Sequence, residues 1–385
     1  MSTPQVPYQI CVRCVMDTSD PEIRFDRLGI CNHCSDFLAS RVPVTAYENR
    51  QTSHQDSVLQ TLFREIRSRR KESSGHDVVV GVSGGVDSST VALLAQDAGL
   101  RVLAVHMDNG WDTPIAIQNV FKLIRLPGID YHAEVLNWNA FKTIQRAFIE
   151  AGVPDIELPT DIAIQAALHR VAQQWRIPTI LSGGNIANEG ILPPAWLYNA
   201  RDSRYAQAIL KKTHISLSLY RPINFGFRRE LRCRLVNRIQ TLYPLNLFRY
   251  DKEAARHTLK QAIGWQSYGG KHCESTFTRF TQLVYLPKRH NVDYRRGYLS
   301  ADICLGKTTR AEALQQLTSP AWSQINVEHD LAFVARKLDY TQSQLDAVMN
   351  STPRWYFDYP NRARLLGLAY NSYRFLTGRP KASNF

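Results

Sequence analysis

The 385-residue sequence has no run of 18 or more apolar residues, so no segment reads as a membrane-spanning helix. Its first residues, MSTPQVPYQICVRC, have neither a basic start nor an apolar h-region. A secretory leader is therefore not expected, and the expected location is the cytoplasm. Cysteine is scarce and odd in number, seven in all, and four of the seven form two C-x-x-C pairs. Without an export signal, that pattern favours metal ligation and free thiols over a disulfide framework. Internal repeats and low-complexity tracts are also absent. What is present, 44% hydrophobic and 21% charged residues, describes an ordinary globular protein long enough for two or three domains.

Acidic residues are scarce in one stretch only. Between Arg201 and Ser300 there are 20 Lys+Arg against 6 Asp+Glu, whereas the rest of the chain holds 27 against 28. A basic part joined to a neutral part implies either a solvated cationic face or an anionic ligand such as RNA, a nucleotide diphosphate or an acidic small molecule.

Residues 1–45 are irregular and carry CVRC and CNHC. Residues 55–72 show helical spacing. Then apolar, β-branched runs alternate with helical patterns: DVVVGV (77–82), RVLAVHMD (101–108), YHAEVL (131–136) and PTILSGG (178–184). Non-alternating apolar strands separated by helices predict an α/β fold, a doubly wound parallel sheet covered on both faces. From about 226 onward the pattern is mostly helical and rich in arginine and aromatics. The expected organisation is thus 1–45, 46–225 and 226–385.

Cys11, Cys14, Cys31 and Cys34 form C-x2-C-x16-C-x2-C, a spacing suited to two knuckles converging on a tetrahedral Zn²⁺. His33 and Asp36 are nearby spare ligands, but four cysteines already close the site, so its expected role is structural. Cys233, Cys273 and Cys304 stand singly.

GVSGGVDSS (81–89) joins the first strand to a helix and lacks the lysine that a Walker loop sets against the outer phosphates. Its main-chain N–H groups and the helix start attract an anion. Gly84 and Gly85 allow close approach, and Ser83, Ser88 and Ser89 donate from their hydroxyls. Asp87 among phosphate donors requires a divalent cation between, and Mg²⁺ is the natural choice. The strand ends VHMDNGW (105–111) and LSGGN (181–185) face the same crevice, because ligands in doubly wound sheets sit beyond the carboxyl ends of the strands. Asn109-Gly110 also reads as an ordinary turn. Asp161, after Pro159-Thr160, is either a helix-start carboxylate or a substrate group.

The motif SGGVDSS resembles the signature of the N-type ATP pyrophosphatases, the PP-loop family. That resemblance implies ATP bound through Ser83, Gly84, Gly85, Val86, Asp87, Ser88 and Ser89, with Met107, Asp108, Asn109, Gly183 and Asn185 near the nucleotide. It also implies attack on the α-phosphate with release of pyrophosphate, which accounts for the absent lysine.

The start CVRCVMDTSDPEIRFDRLGICNHC resembles the N-terminus of the N-acetyl sugar amidotransferases of bacterial surface-polysaccharide pathways. Further similarity lies in WQSYGGKHCESTFTRFTQLVYLP (265–287), VDYRRGYLS and TRAEAL. The family is understood to convert an acetamido group on a nucleotide-activated sugar into an acetamidino group, for O-antigen or lipopolysaccharide. Given that resemblance, Lys271, His272, Glu274, Ser275, Arg279, Arg295 and Arg296 are candidates for the side that meets a UDP-sugar, such as a diacetamido uronate, each of them otherwise a surface group, and Asp161 keeps its two readings. Ser83, Asp87, Lys271 and His272 are the catalytic candidates, His272 as a proton shuttle. RRGYLS departs from the family, where a histidine is expected near Tyr298.

No cysteine begins the chain or sits in a G-x-C-x-G elbow; DICLG around Cys304 lacks the first glycine. The expected enzyme is a synthetase without its own glutaminase. The resemblance implies a separate class I glutaminase resembling that of the histidine pathway, with a barrel-type channelling subunit. Two other functions are compatible with the loop. One is a tRNA-modifying PP-loop enzyme, thiolase or lysidine-type, for which the charge and zinc site suit a nucleic acid partner. The other is a non-catalytic adenine-nucleotide-binding protein, against which Asp87 argues.

Overall fold

The computed structural model describes residues 7–39, 52–69, 75–185, 191–193, 195–196, 201–248, 250–269 and 273–377. Five parallel strands form its sheet: β1 Val78–Gly81, β2 Val102–Asp108, β3 Ile129–Val135, β4 Thr179–Leu181 and β5 Gln240–Leu242. Their order is β3-β2-β1-β4-β5, so the winding reverses beside β1. In doubly wound sheets ligands bind beyond the carboxyl ends of the strands at such a reversal, here those of β1 and β4.

The first four strands form where the apolar runs predict them. Val78, Val79 and Val80 are fully buried, which suits a β-branched strand covered on both faces. Helix α1 (Thr52–Ser68) precedes the sheet, and α2 (Val86–Asp97), α3 (Pro114–Leu123), α4 (Trp138–Ala151) and α5 (Leu158–Gln174) link its strands. Local chemistry sets their ends. Thr113 caps α3 by accepting from Ala116 N at 3.3 Å, with Pro114 in the first turn. Asn137 caps α4, which ends at Gly152 in the left-handed conformation (φ +76°). One apolar layer packs Val78, Val80 and Ala104 against α2 and α3, and the other packs Val79, Leu103 and Val105 against α5.

The sheet continues past residue 225. β5 has only three residues and no alternation, so no periodicity announces it. Beyond it the chain is helical: α6 (Lys252–Ile263), α7 (Thr276–Phe280), α8 (Arg295–Cys304), α9 (Arg310–Gln316), α10 (Val327–Lys337) and α11 (Ala363–Thr377). No helix among the described residues is long and apolar enough to cross a membrane.

Candidate functional site

The loop between β1 and α2 is shaped by contacts that only glycine permits. Gly84 has φ +75°, and a Cβ there would lie 2.2 Å from the carbonyl oxygen of Ala116. The Gly84 carbonyl accepts from the Trp265 indole at 3.0 Å and from Asn119 Nδ2 at 3.3 Å. Asn119 is fully buried and exchanges two further bonds with the Gln266 backbone, at 2.8 and 2.9 Å. A segment 181 residues downstream thus buckles the loop from behind. Gly85 is the N-cap of α2, and no side chain caps it, which leaves the first-turn N–H groups facing the crevice.

From β4, Gly183 closes on the same turn: a Cβ there would lie 2.8 Å from Ser88 N and 2.9 Å from the Asp87 carbonyl carbon. Asn185 is buried and donates to the Gly183 carbonyl at 3.2 Å. Ser88 Oγ spans the loop, donating to Gly85 O at 3.3 Å and accepting from Ser83 N at 3.4 Å. Ser83 Oγ accepts from Gly85 N at 3.4 Å, and Ser89 is fully buried. Val86 is buried in the layer beneath. This cradle of N–H groups at a helix start suits a polyphosphate.

Asp87 carries a contact that its motif does not announce. Its Oδ1 accepts from Tyr250 Oη at 2.6 Å, and its Oδ2 lies 3.3 Å from Lys252 Nζ. Burial and the Asp87 charge push the Tyr250 phenol above its ordinary range. Lys252 opens α6, behind the cap Asp251. The loop therefore does have a lysine, delivered from 165 residues away. In sequence its only trace is the basic surplus after residue 200. Asp87 offers hard oxygen at the phosphate cradle, a donor that fits Mg²⁺.

Glu274 also belongs to the loop. Its Oε1 lies 3.7 Å from where a Gly85 Cβ would stand, and Tyr268 Oη lies 3.5 Å from that point. Burial raises the Glu274 carboxyl above the ordinary carboxylate range, and its Oε2 is buried without a hydrogen-bond partner. The backbone is pinned there: Thr113 N donates to Glu274 O and Thr276 N to Trp111 O, both at 2.9 Å, about an antiparallel bridge from Asp112 to Ser275. Ser275 caps α7 by accepting from Thr278 N. Lys271 and His272 lie outside the described residues.

At the exit of β2, Asp108 Oδ1 accepts from Gly110 N at 2.8 Å and Asn109 Oδ1 from Trp111 N at 3.0 Å. These are Asx turns, consistent with the turn reading of Asn109-Gly110. Met107 packs against a separate apolar cluster that includes Trp111, Phe148 and Phe277. A cleft of about 140 Å³ opens beside Asp108, lined also by His106, Asp112, Phe121 and Tyr131. His106 lies 3.0 Å from Val82 O and 3.4 Å from Asp112. Burial opposes its protonation, but those two acceptors outweigh burial and raise its pKa. Lys337 donates to the Gly110 carbonyl and lies over the rings of Trp111 and Trp138; burial lowers its pKa.

The three arginines expected on the sugar side are each engaged within the chain. Arg279 makes a two-pronged pair with Asp330, both bonds at 2.8 Å. Arg295 pairs with Asp293 and donates to the carbonyls of Gln316 and Ser319. Arg296 donates to Val15 O at 2.7 Å and lies 3.0 Å from Asp17. Asp161 sits in the first turn of α5, close to Glu157.

Arg296 belongs to the docking of the cysteine segment. The Sγ atoms of Cys11, Cys14, Cys31 and Cys34 all lie within 4.8 Å of one another, with Cys11–Cys34 at 3.9 Å and Cys14–Cys31 at 3.7 Å. Tetrahedral Zn–S bonds of about 2.3 Å require sulfurs about 3.8 Å apart, so the four thiols fit zinc. Backbone N–H groups of Cys14 and Cys31 point at Cys11 Sγ, and that of Met16 at Cys14 Sγ, the bonds that stabilise thiolates. His33 is engaged by Asp20 at 2.5 Å and is no ligand. Arg310 donates to the carbonyls of Cys11 and Cys14, and Val15 N to Ser300 Oγ. Cys304 Sγ lies 3.9 Å from Cys34 Sγ.

Comparison with known proteins divides the chain at this site. Residues 58–153, which contain the loop, match the family model "NAD synthase". Residues 274–374 match "LPS biosynthesis protein WbpG-like, C-terminal domain". GMP synthase [glutamine-hydrolyzing] of Thermus thermophilus is 52% identical over 56 residues, 14% of this chain and 10% of its own length. The same enzyme of Pyrobaculum aerophilum is 46% identical over 70 residues, 18% of this chain and 13% of its own. The chain thus spans about a tenth of the length of these curated relatives. Among solved structures, an NH3-dependent NAD synthetase from Campylobacter jejuni aligns over 58% of this chain and 97% of its own, at 15% identity and a TM-score of 0.30. The U34-tRNA thiolase NcsA from Methanococcus maripaludis aligns over 85% of this chain and 91% of its own, at 14% identity and a TM-score of 0.32. The fold is a PP-loop α/β sheet with an N-terminal four-cysteine cluster and a helical C-terminal region. The two segment matches join a PP-loop segment to a segment similar to a lipopolysaccharide-biosynthesis protein in one chain.

Proposed function

We propose that the chain is an ATP-dependent synthetase that adenylates the acetamido oxygen of a UDP-activated N-acetyl sugar and replaces it with ammonia, giving an acetamidino group. One observation carries this reading. The WbpG-like segment begins at Glu274, the residue whose carboxylate lies beside the phosphate loop. That the tail matching this family starts beside the loop supports one shared site for the nucleotide and the sugar.

In this reading the loop and the α2 N-terminus hold the pyrophosphate portion of ATP. Lys252 reaches the phosphates from outside the loop and steadies the departing charge. Asp87 would hold a magnesium ion, which supplies further neutralisation of that charge. The acetamido oxygen attacks the α-phosphorus, pyrophosphate leaves, and the imidate carbon becomes open to nitrogen. The chain's own contribution is position and electrostatics. Because Arg279, Arg295 and Arg296 are engaged within the chain, the UDP diphosphate is assigned to other cations of the basic third hundred, with Lys271 and His272 as the nearest by sequence. Ammonia comes from a separate glutaminase subunit.

The test is mass spectrometry of UDP-diacetamido uronates incubated with the protein, ATP, Mg²⁺ and ammonium. The expected product is lighter by the difference between an oxygen atom and an NH group, with AMP and pyrophosphate formed in equal amounts. ATP cleavage that depends on tRNA and leaves every nucleotide sugar unchanged would overturn the reading.

A further inference from the structure

A closed zinc site needs four thiolates, and the chain brings five sulfurs together. Cys304 ends α8 and is not one of the four cysteines whose sulfurs all lie within 4.8 Å of one another. Its Sγ is nevertheless 3.9 Å from Cys34 Sγ, the same separation as that between Cys34 and Cys11 inside the set. A tetrahedral site filled by four thiolates has no place for a fifth. The Cys304 sulfur therefore stands beside one vertex of the site, in contact with it and unused by it.

Packing and exposure set Cys304 apart. It rests against the apolar cluster that takes in the four cysteines, and its own helix holds the cysteine segment through Ser300 and Arg296. Cys304 is half-buried, whereas the four cysteines of the set are fully buried and Cys233 and Cys273 are buried as well. Of the seven thiols it is the one open to solvent. An oxidant arriving from solvent meets Cys304 first, and the sulfur behind it belongs to a metal ligand.

We propose that Cys304 and Cys34 form a peroxide-sensitive pair, in which Cys304 takes the oxidant and Cys34 resolves it, removing one ligand from the metal site. The step requires no sugar, ATP or ammonia. The Cys304 thiolate attacks an oxygen of hydrogen peroxide, the O–O bond breaks, hydroxide leaves, and Cys304 becomes a sulfenic acid. The Cys34 thiolate then leaves the metal and attacks the Cys304 sulfur. The S–O bond breaks, a second hydroxide leaves, and the disulfide forms. Two thiolates thus give two electrons to one peroxide. The sulfurs must close from 3.9 Å to about 2.05 Å. Three thiolates are left for the metal, while the new bond ties Cys34 to α8. The cysteine segment stays docked as it loses its ion, and a thiol reductant reverses the change.

In the experiment the zinc-loaded full chain meets hydrogen peroxide while a chromophoric chelator reports free zinc. Digests made without reductant are mapped by mass spectrometry. The native protein is expected to release about one zinc per chain, and the first disulfide is expected to join Cys34 to Cys304. Dithiothreitol with added zinc should restore the bound metal. Cys304→Ser is expected to keep its zinc, by elemental analysis, and to release it under peroxide about tenfold or more slowly than the native protein. Cys233→Ser should release it at the native rate. A native rate in Cys304→Ser, or a first disulfide that leaves out Cys304, would overturn the pair. Should Cys304→Ser lose zinc before any oxidation, Cys304→Ala and the disulfide map of the native protein decide. If the native protein carries no zinc, the map alone judges the pair, and a first product other than Cys34–Cys304 sinks it.

Discussion

Gly84 and Lys252 make the same loop specific in opposite ways, one by what it omits and the other by what it brings from afar. At Gly84 a methyl group would meet the Ala116 carbonyl at 2.2 Å, and the φ of +75° strains any L-residue by about 1–2 kcal/mol besides. Gly84→Ala must therefore move the loop or α3. We expect nucleotide-dependent pyrophosphate release to fall at least 100-fold while circular dichroism still reports a folded sheet. Lys252 acts by charge. Hydrogen bonds to charged groups contribute about 1.5–3 kcal/mol, roughly 10- to 150-fold in affinity. Lys252→Met should weaken binding of a non-cleavable ATP analogue by that factor, measured by calorimetry, and Lys252→Arg should restore part of it. A Met variant that binds the analogue as tightly as the native protein would remove Lys252 from the site.

At the scale of elements, the parallel sheet and the glycine loop were legible in the sequence because both rest on local chemistry. Buried β-branched runs have few alternatives, and a glycine-rich turn between strand and helix needs little context. The four cysteines were legible for the same reason. What stayed hidden was pairing over distance. Arg279, Arg295 and Arg296 look like free cations in a basic stretch, yet each has a carboxylate partner, two of them remote in sequence. Glu157 reads as an ordinary residue before a helix until Thr278, 121 positions away, is seen beside it. The cysteine segment likewise shows its purpose only in place, because α8 and α9 hold it through Ser300, Arg296 and Arg310. Chelation should therefore loosen a tertiary contact as well as a knuckle. We expect one zinc per chain by elemental analysis, lost in Cys31→Ser. Zinc loss should expose backbone amides of both residues 10–34 and α8–α9 to hydrogen exchange, whereas exchange confined to the knuckle would show the docking to be incidental.

Over the whole molecule, a single apolar cluster includes Cys11, Phe148, Trp196, Phe280 and Tyr356, so stretches that differ in charge and pattern share one core. The buried interior holds titratable groups whose effects on stability oppose one another. Burial lowers His169 to about 4 and His290 to about 3, and both nitrogens of His290 lack hydrogen bonds. The unfolded chain takes up these protons near pH 6.5 while the folded chain refuses them, so their contribution is lost as pH falls from about 6.5 toward 4. Asp155 works the other way. Burial raises it to about 7, and the Tyr205 hydroxyl only partly offsets this. The unfolded carboxyl ionises near 4 while the folded one keeps its proton, so stability is lost as pH rises from about 4 to 7. Between those limits the two histidines outweigh the one acid by about one proton, so stability still rises with pH, and above pH 6.5 only the acid's cost grows. Asp155→Asn keeps an acceptor for Tyr205 and removes that cost. We expect it to stabilise the protein by about 2–4 kcal/mol at pH 8.5 and by roughly half or less at pH 5. Denaturant melts at the two pH values measure the difference directly. A gain that does not depend on pH would mean that Asp155 is already ionised in the fold, and that Tyr205 and its surroundings solvate the charge.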